Sequence, residues 1–209
     1  MSHNLLQRVS TRQLKACLAI ALSLPLLWVA LGIWREAQQP TSGFGPDPAE
    51  GLLHFLGSTA IIILLCAFSL SPVKRRLALP ALGPARRMLG LFAFAYVTLH
   101  FVTYGWLYIE ASFSLLLEDV VERPYITAGM MAVAGLLPMA MTSTAAWRRR
   151  LRRNWQRLHS AIYVVVPLAI LHLAWLRKDG FGEVFVYALW FLIMLLERWW
   201  WRRQKAGAN

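Results

Sequence analysis

Charged residues in this chain are gathered into short tracts, and long uncharged stretches lie between them. Cutting at those tracts leaves apolar runs at residues 16–34, 52–71, 88–109, 124–142 and 158–176. Each run is close to the roughly 20 residues that an α-helix needs to cross about 30 Å of hydrocarbon. A sixth run, 181–200, is weaker, because Glu183, Glu197 and Arg198 leave only Val184 to Leu196 free of charge. Trp199, Trp200 and Trp201 close that run; Trp collects at the membrane interface and charges near a helix end can snorkel. The pattern predicts an all-α integral membrane protein, a six-transmembrane-helix bundle.

Composition agrees with this reading. Of 209 residues, 58% are hydrophobic and 15% charged, against a little under half and about a quarter in soluble domains. The formal charge of +12 would suggest nucleic acid in a soluble protein. Here the basic residues border apolar runs, which makes membrane lipid the partner and excludes nucleic acid. Arg8, Arg12, Lys15, Lys74, Arg75, Arg76, Arg86, Arg87, Arg148, Arg149, Arg150, Arg152, Arg153, Arg157, Arg198, Arg202, Arg203 and Lys205 fall on one side, 18 of the 22 basic residues. The other side holds Arg35, Arg123, Arg177 and Lys178 with nine of the ten acids, all but Glu197. The positive-inside rule then makes both termini cytoplasmic in a bacterial inner membrane.

The first run has a basic leader like a signal peptide, but its uncharged stretch is long and lacks an evident small-residue cleavage site, so it reads as a retained anchor. The remaining loops are too short to bury a core of their own, which predicts a single membrane domain over 1–209. No internal repeat or Gly-rich phosphate loop is evident. Cys17 and Cys66 match neither a zinc site nor a Cys-x-x-Cys-His attachment and read as small hydrophobes.

Chemistry must come from polar residues at membrane depth, which are costly there. His54, His100, His159 and His172 qualify. At 1.5 Å per residue, His100 lies about 18 Å into its span and His172 about 21 Å into its own, counted from the basic side. Two imidazoles at one depth on different helices suit a b-type heme clamped by two axial histidines. They suit zinc less well, since a closed zinc site takes four ligands. The plainer alternative is that each histidine is a hydrogen-bonding link between helices.

His159 lies about 20 Å along the same span from His172, room for two redox centres stacked across the bilayer; ligand and interfacial histidine are equally compatible with it. Arg86 and Arg87 open span three on that side. They suit heme propionates, a quinone, a flavin phosphate or, more simply, lipid headgroups. His54 sits at the opposite mouth, where a ligand, a supporting group and a solvated loop histidine are all consistent. Tyr96, His100 and Tyr104 share a helix face, fit to carry a cofactor edge or interhelical hydrogen bonds. Ala128, Ala132 and Gly135 give span four a smooth stripe for close packing.

Several segments together carry a resemblance. They are His54-Phe55-Leu56-Gly57, Arg86-Arg87-Met88-Leu89-Gly90, Thr98-Leu99-His100, Arg123-Pro124-Tyr125-Ile126-Thr127, Thr142-Ser143-Thr144, Trp155-Gln156-Arg157-Leu158-His159 and His172-Leu173-Ala174-Trp175. In this order they resemble the heme-binding membrane subunit of the bacterial periplasmic protein-methionine-sulfoxide reductase system, within the ferric-reductase-like transmembrane superfamily. The resemblance covers roughly residues 12 to 178. It implies a six-helix protein carrying heme b and also FMN, taking electrons from the quinone pool. They pass to a periplasmic molybdopterin-containing catalytic subunit that reduces methionine sulfoxide in oxidised proteins. It further implies that His100, His159 and His172 are associated with heme iron, and it matches His54 to a further histidine without assigning a role.

Ferric reductases and NADPH oxidases add a flavin and nicotinamide domain and carry two depth-matched histidine pairs. Here eight residues follow Trp201, and His159 has no histidine partner at its depth. The expectation is an electron-transfer subunit that does not itself oxidise NADPH. The alternative from another class is a small transporter or metal-handling membrane protein whose histidines bind the transported ion.

Overall fold

The computed structural model describes residues 10–77, 82–177 and 180–207, and these form helices without strands. Arg8 and Lys178, both used in the charge asymmetry above, lie outside the described residues. We number the helices α1 (Thr11–Gln38), α2 (Pro48–Leu77), α3 (Leu82–Leu107), α4 (Phe113–Glu122), α5 (Pro124–Met141), α6 (Ala145–Leu151), α7 (Arg153–His159), α8 (Ile162–Leu176) and α9 (Gly182–Ala206). Six stretches are long and apolar enough to span a membrane, with α7 and α8 together making the fifth. These are the six spans that the sequence predicts, and they describe a multi-pass protein of the bacterial inner membrane.

Most of the helices overrun their apolar cores. The first extends from 11 to 38 rather than 16 to 34, and the third begins at 82 rather than 88, so that Arg86 and Arg87 belong to its first turns. The physical reason is that charge ends a hydrophobic run but not a helix, whose backbone bonds continue into the headgroup layer until a cap stops them. Ser10 supplies such a cap to α1. Its hydroxyl accepts from the Arg12 N–H, while Gln13 reaches back to the Ser10 N–H. Pro48 opens α2 and Pro124 opens α5, where the missing N–H costs nothing. The fifth span is broken at Ser160–Ala161. Helices α4 and α6 lie in segments that the hydropathy pattern leaves as loops.

The bundle is organised around α2, which packs on α1, α3, α8 and α9. Its Leu56, Leu65 and Phe68, with Tyr96 of α3 and Val166 of α8, are the most deeply buried large side chains. The closest-packed pairs are α2 with α3 and α5 with α8. In lipid, where apolar burial between helices gains little, close packing and interhelical hydrogen bonds hold such pairs. Gly135 of α5 shows the first device, since a Cβ there would lie 2.7 Å from Val165 Cγ2; Ala128 and Ala132 beside it are buried. Tyr96 shows the second, donating its hydroxyl to the Leu22 carbonyl of α1 at 2.7 Å. Leu27, Leu31, Val102, Val164, Phe185 and Ile193 stay exposed on the outside, as lipid-facing positions require.

The acidic end of the first two spans is closed by a half-buried ring packed against glycines. Phe44 stacks edge-on to Trp28 at 5.4 Å and fills the space that a Cβ on Gly32 would need, 2.5 Å from its Cζ. The Glu36 carboxylate accepts the Thr41 and Gly43 N–H groups and pins that loop. At the basic end, Glu197 of α9 holds Arg75 at 2.6 Å and Arg76 at 3.4 Å.

Candidate functional site

His100 of α3 and His172 of α8 meet inside the bundle. Their ring centres are 6.2 Å apart and their planes are perpendicular. The depth matching estimated from residue counts thus places them against one another. Each imidazole is fixed by a backbone carbonyl of the helix packed beside it: His100 Nδ1 donates to Leu53 O at 3.0 Å, and His172 Nδ1 to Tyr125 O at 2.6 Å. A carbonyl can only accept, so Nδ1 carries the proton and Nε2 keeps its lone pair. This is how ligating histidines are usually oriented, with one nitrogen bound to an outer partner and the other left for a metal.

A glycine lies against each ring. A Cβ on Gly57 of α2 would come within 3.3 Å of His100 Nδ1 and Cε1; one on Gly129 of α5 would come within 2.8 Å of His172 Nδ1 and 3.1 Å of its Cε1. Both glycines stand four residues after the residue whose carbonyl accepts, and both histidines stand 47 residues after it. The notch and the hydrogen bond work together. The notch lets the ring lie close enough to the neighbouring helix for its N–H to reach a main-chain oxygen near that helix's start.

The pair can be tested against the group that it suits. The ring centres stand 6.2 Å apart with both Nδ1 atoms turned to main-chain carbonyls, and the donor set fits. Among the described residues no group of three or more His, Cys, Asp or Glu is placed to hold a metal ion, so the pair offers two neutral nitrogens, which is what a heme iron takes on its axial sites. A closed zinc site would need four ligands.

The other sequence-selected residues lie apart from this pair. His54, next to Leu53, accepts an N–H of Arg177 at Nε2 and contacts Ser58 Oγ at 3.3 Å through Nδ1, so both nitrogens are engaged. Arg177 in turn pairs with Glu183, and the three form a polar cluster at the acidic mouth. Tyr104 donates to the Asp119 carboxylate of α4, so Tyr96 and Tyr104 both serve interhelical hydrogen bonds. His159 stacks on Trp155 at 4.0 Å. Thr142 gives its hydroxyl proton to Pro138 O at 2.6 Å and can accept the His159 Nε2–H at 3.3 Å. Arg86 donates to Ser71 at 3.1 Å and lies within electrostatic reach of His159, while Arg87 is exposed. Gly57, Gly129, Leu53 and Tyr125 are the site residues that sequence reasoning passed over; no residue type announces a backbone acceptor.

A bundle with six helices long and apolar enough to span a membrane, and two imidazoles meeting between them with each Nδ1 bound to a main-chain carbonyl, defines the class: a multi-pass membrane protein with a histidine pair at depth. The chain belongs to the ferric reductase like transmembrane component family, whose pattern matches residues 56–170. It is 37% identical over 192 residues to the protein-methionine-sulfoxide reductase heme-binding subunit MsrQ of Xanthomonas campestris pv. campestris, covering 92% of this chain and 88% of that one. It is 40% identical over 195 residues to the subunit of the same name from Cronobacter sakazakii, covering 90% and 94%. The resemblance drawn from the seven short segments is therefore confirmed at the level of the family.

Proposed function

We propose that this chain is the heme-binding, electron-transfer membrane subunit of a methionine-sulfoxide reductase system, and that His100 and His172 hold a b-type heme through their Nε2 atoms. The observation that carries the reading is the pair of imidazoles with ring centres 6.2 Å apart, each fixed at Nδ1 by a main-chain carbonyl. Bound there, heme would supply a one-electron iron couple within the membrane. The residues around it orient the ligands: Leu53 and Tyr125 fix the tautomer and ring direction, and Gly57 and Gly129 admit the rings. Leu56 of α2 and Ile170 and Leu173 of α8, neighbours of these residues in the chain, are buried in the apolar core. Such surroundings keep water out and favour the less charged state of a redox centre.

In this reading the basic end faces the cytoplasm, as the distribution of Lys and Arg directs. Electrons enter at that end, from the quinone pool or from FMN near Arg86, Arg87 and His159. They leave toward a periplasmic molybdopterin-containing catalytic subunit, which reduces methionine sulfoxide in oxidised proteins. The acidic segments 35–51 and 110–123, the second now seen as the helix α4 with Glu118, Asp119 and Glu122, offer that subunit a docking face. His54 supports the fold of this face through Arg177 and Glu183 and is not an iron ligand.

The test is an absorption spectrum of the detergent-purified protein before and after dithionite, with a pyridine-hemochrome titration. A sharpened b-type α band is expected, lost in both His100→Ala and His172→Ala. Heme retained in both variants would refute the ligand assignment, and a flat spectrum from folded wild-type protein would favour an ion-handling role instead.

A further inference from the structure

The segment between the third and fourth spans holds a helix that the histidine pair does not use. Helix α4 has 10 residues, about 15 Å of rise, half of what crossing about 30 Å of hydrocarbon takes. Residues 108–112 join it to α3 and Arg123 alone separates it from α5, so it lies at the level where two spans end. The chain turns sharply into it. Glu110 and Ala111 take positive φ, 48° and 57°, a conformation that non-glycine residues keep only where their surroundings impose it. Arg123 is extended ahead of Pro124, as sterics favour for a residue before proline, so α4 does not run on into the span.

Three arcs run around α4 at about 100° per residue. Leu116, Asp119 and Val120 are half-buried and face the bundle. Asp119 accepts the Tyr104 hydroxyl and pairs with Arg123 at 3.0 Å, and the Val120 carbonyl accepts the Thr127 hydroxyl, so this side is fastened to α3 and α5. Phe113, Leu117 and Val121, four residues apart, form the second arc and are 70%, 50% and 84% exposed. Ser114, Glu118 and Glu122 form the third and are exposed as well. Leu115, at the far margin of the acidic arc, is the one exposed apolar residue outside the second. An apolar arc beside an acidic arc is the pattern of a helix lying at a boundary between lipid and water. The apolar arc takes up, a few residues on, the lipid-facing surface that Val102, Trp106 and Leu107 present at the end of α3; an exposed Trp at a span end marks the membrane interface.

We propose that α4 is an interfacial helix whose arc of Phe113, Leu117 and Val121 is embedded in the lipid leaflet at the acidic end of the bundle. Left in water, such a cluster of large apolar side chains invites association. At the headgroup boundary it reaches the acyl chains, into which helices of this kind sink by about 5–10 Å. Interfacial helices commonly carry Lys and Arg on the polar face to meet anionic lipid. This one carries acids, which anionic headgroups repel, so apolar contact and the bonds to Tyr104 and Thr127 hold it, and lipid charge does not. The acidic arc then faces water, with Glu118 and Glu122 directed away from the membrane. The inference goes beyond the electron-transfer reading above and is independent of heme ligation.

The test places single cysteines along both arcs of the heme-loaded protein, one copy per phosphatidylcholine nanodisc, and follows their reaction with a charged maleimide that does not enter lipid. The wild-type chain supplies the background rate of Cys17 and Cys66, which lie within spans. Phe113→Cys, Leu117→Cys and Val121→Cys are expected to react at least about tenfold more slowly than Glu118→Cys and Glu122→Cys, because lipid excludes the reagent and holds the thiol protonated. Equal rates on the two arcs overturn the proposal. A fluorophore on Leu117→Cys or Val121→Cys should in turn be quenched more by phosphatidylcholine with a nitroxide on its upper acyl chain than by one with a nitroxide on its headgroup. Slow reaction without that preference means that protein covers the arc, and overturns the proposal as well. Every substituted position is exposed, and the heme content of each variant reports separately that it has folded.

Discussion

Replacing Gly129 with alanine adds one methyl group at a place where the structure leaves no room for it. The new Cβ would stand 2.8 Å from His172 Nδ1, against an ordinary contact distance of at least 3.4 Å, so ring or helix must yield by about 0.6 Å, a large step in a close-packed interior. The methyl lies on the same edge of the imidazole as the 2.6 Å hydrogen bond to Tyr125 O, and the easiest escape, rotation of the ring, lengthens that bond. Overpacking of this kind costs about 1–3 kcal/mol, and loss of an outer-shell partner weakens metal affinity about 10- to 100-fold. Gly129→Ala is therefore expected to bind heme some 10- to 100-fold more weakly, measured by titrating heme into the apoprotein and following the Soret band. Gly135→Ala is the control. It crowds Val165 Cγ2 in the same α5–α8 interface but touches no histidine, so it should cost stability and spare heme affinity. Wild-type affinity in Gly129→Ala, or an equal loss in Gly135→Ala, would refute the argument that the notch acts through the ring.

Gly32→Ala should unseat Phe44, since the added methyl would meet the ring at 2.5 Å. Combined with Phe44→Ala it should cost less than the two single changes summed, a coupling of about 0.5–3 kcal/mol in a double-mutant cycle read by thermal unfolding; strict additivity would show that the contact carries no energy. Tyr96→Phe removes the hydroxyl that reaches Leu22, and should cost about 0.5–1.5 kcal/mol while leaving heme content unchanged. A loss of heme in that variant would place Tyr96 in the site.

The spans were legible because crossing hydrocarbon imposes a length and a composition, and the pattern 16–34 to 181–200 reports both. The ends were not, because α1 and α3 run on through charged residues until they meet caps or loops. Helix α4 escaped notice because Phe113–Glu122 is short and mixes acids with apolar residues, and the fifth span gave no sign of its break at Ser160–Ala161. The meeting of His100 and His172 could be read from arithmetic, since helices are straight enough for rise per residue to give depth. What holds the rings could not: Gly57 and Gly129 look like any helical glycine until the partner helix is in place, and the Leu53 and Tyr125 carbonyls have no signature in the sequence. Arg198 was read as an end charge free to snorkel, whereas the packing of α9 on α2 and α8 turns it inward.

Carbonyl, glycine and histidine are equally spaced on the two sides of the site. Helices α2 and α3 form one hairpin and α5 and α8 another, each with an acceptor, a notch four residues on, and an imidazole 47 residues on. What the two hairpins share is a relation between backbone and side chain rather than a string of residues. Neither hairpin is a site by itself; each brings half a coordination sphere, and a ligand with two equivalent faces is met by two equivalent halves. A change in one half then has a counterpart in the other, so that Gly57→Ala should resemble Gly129→Ala in kind and be milder in degree.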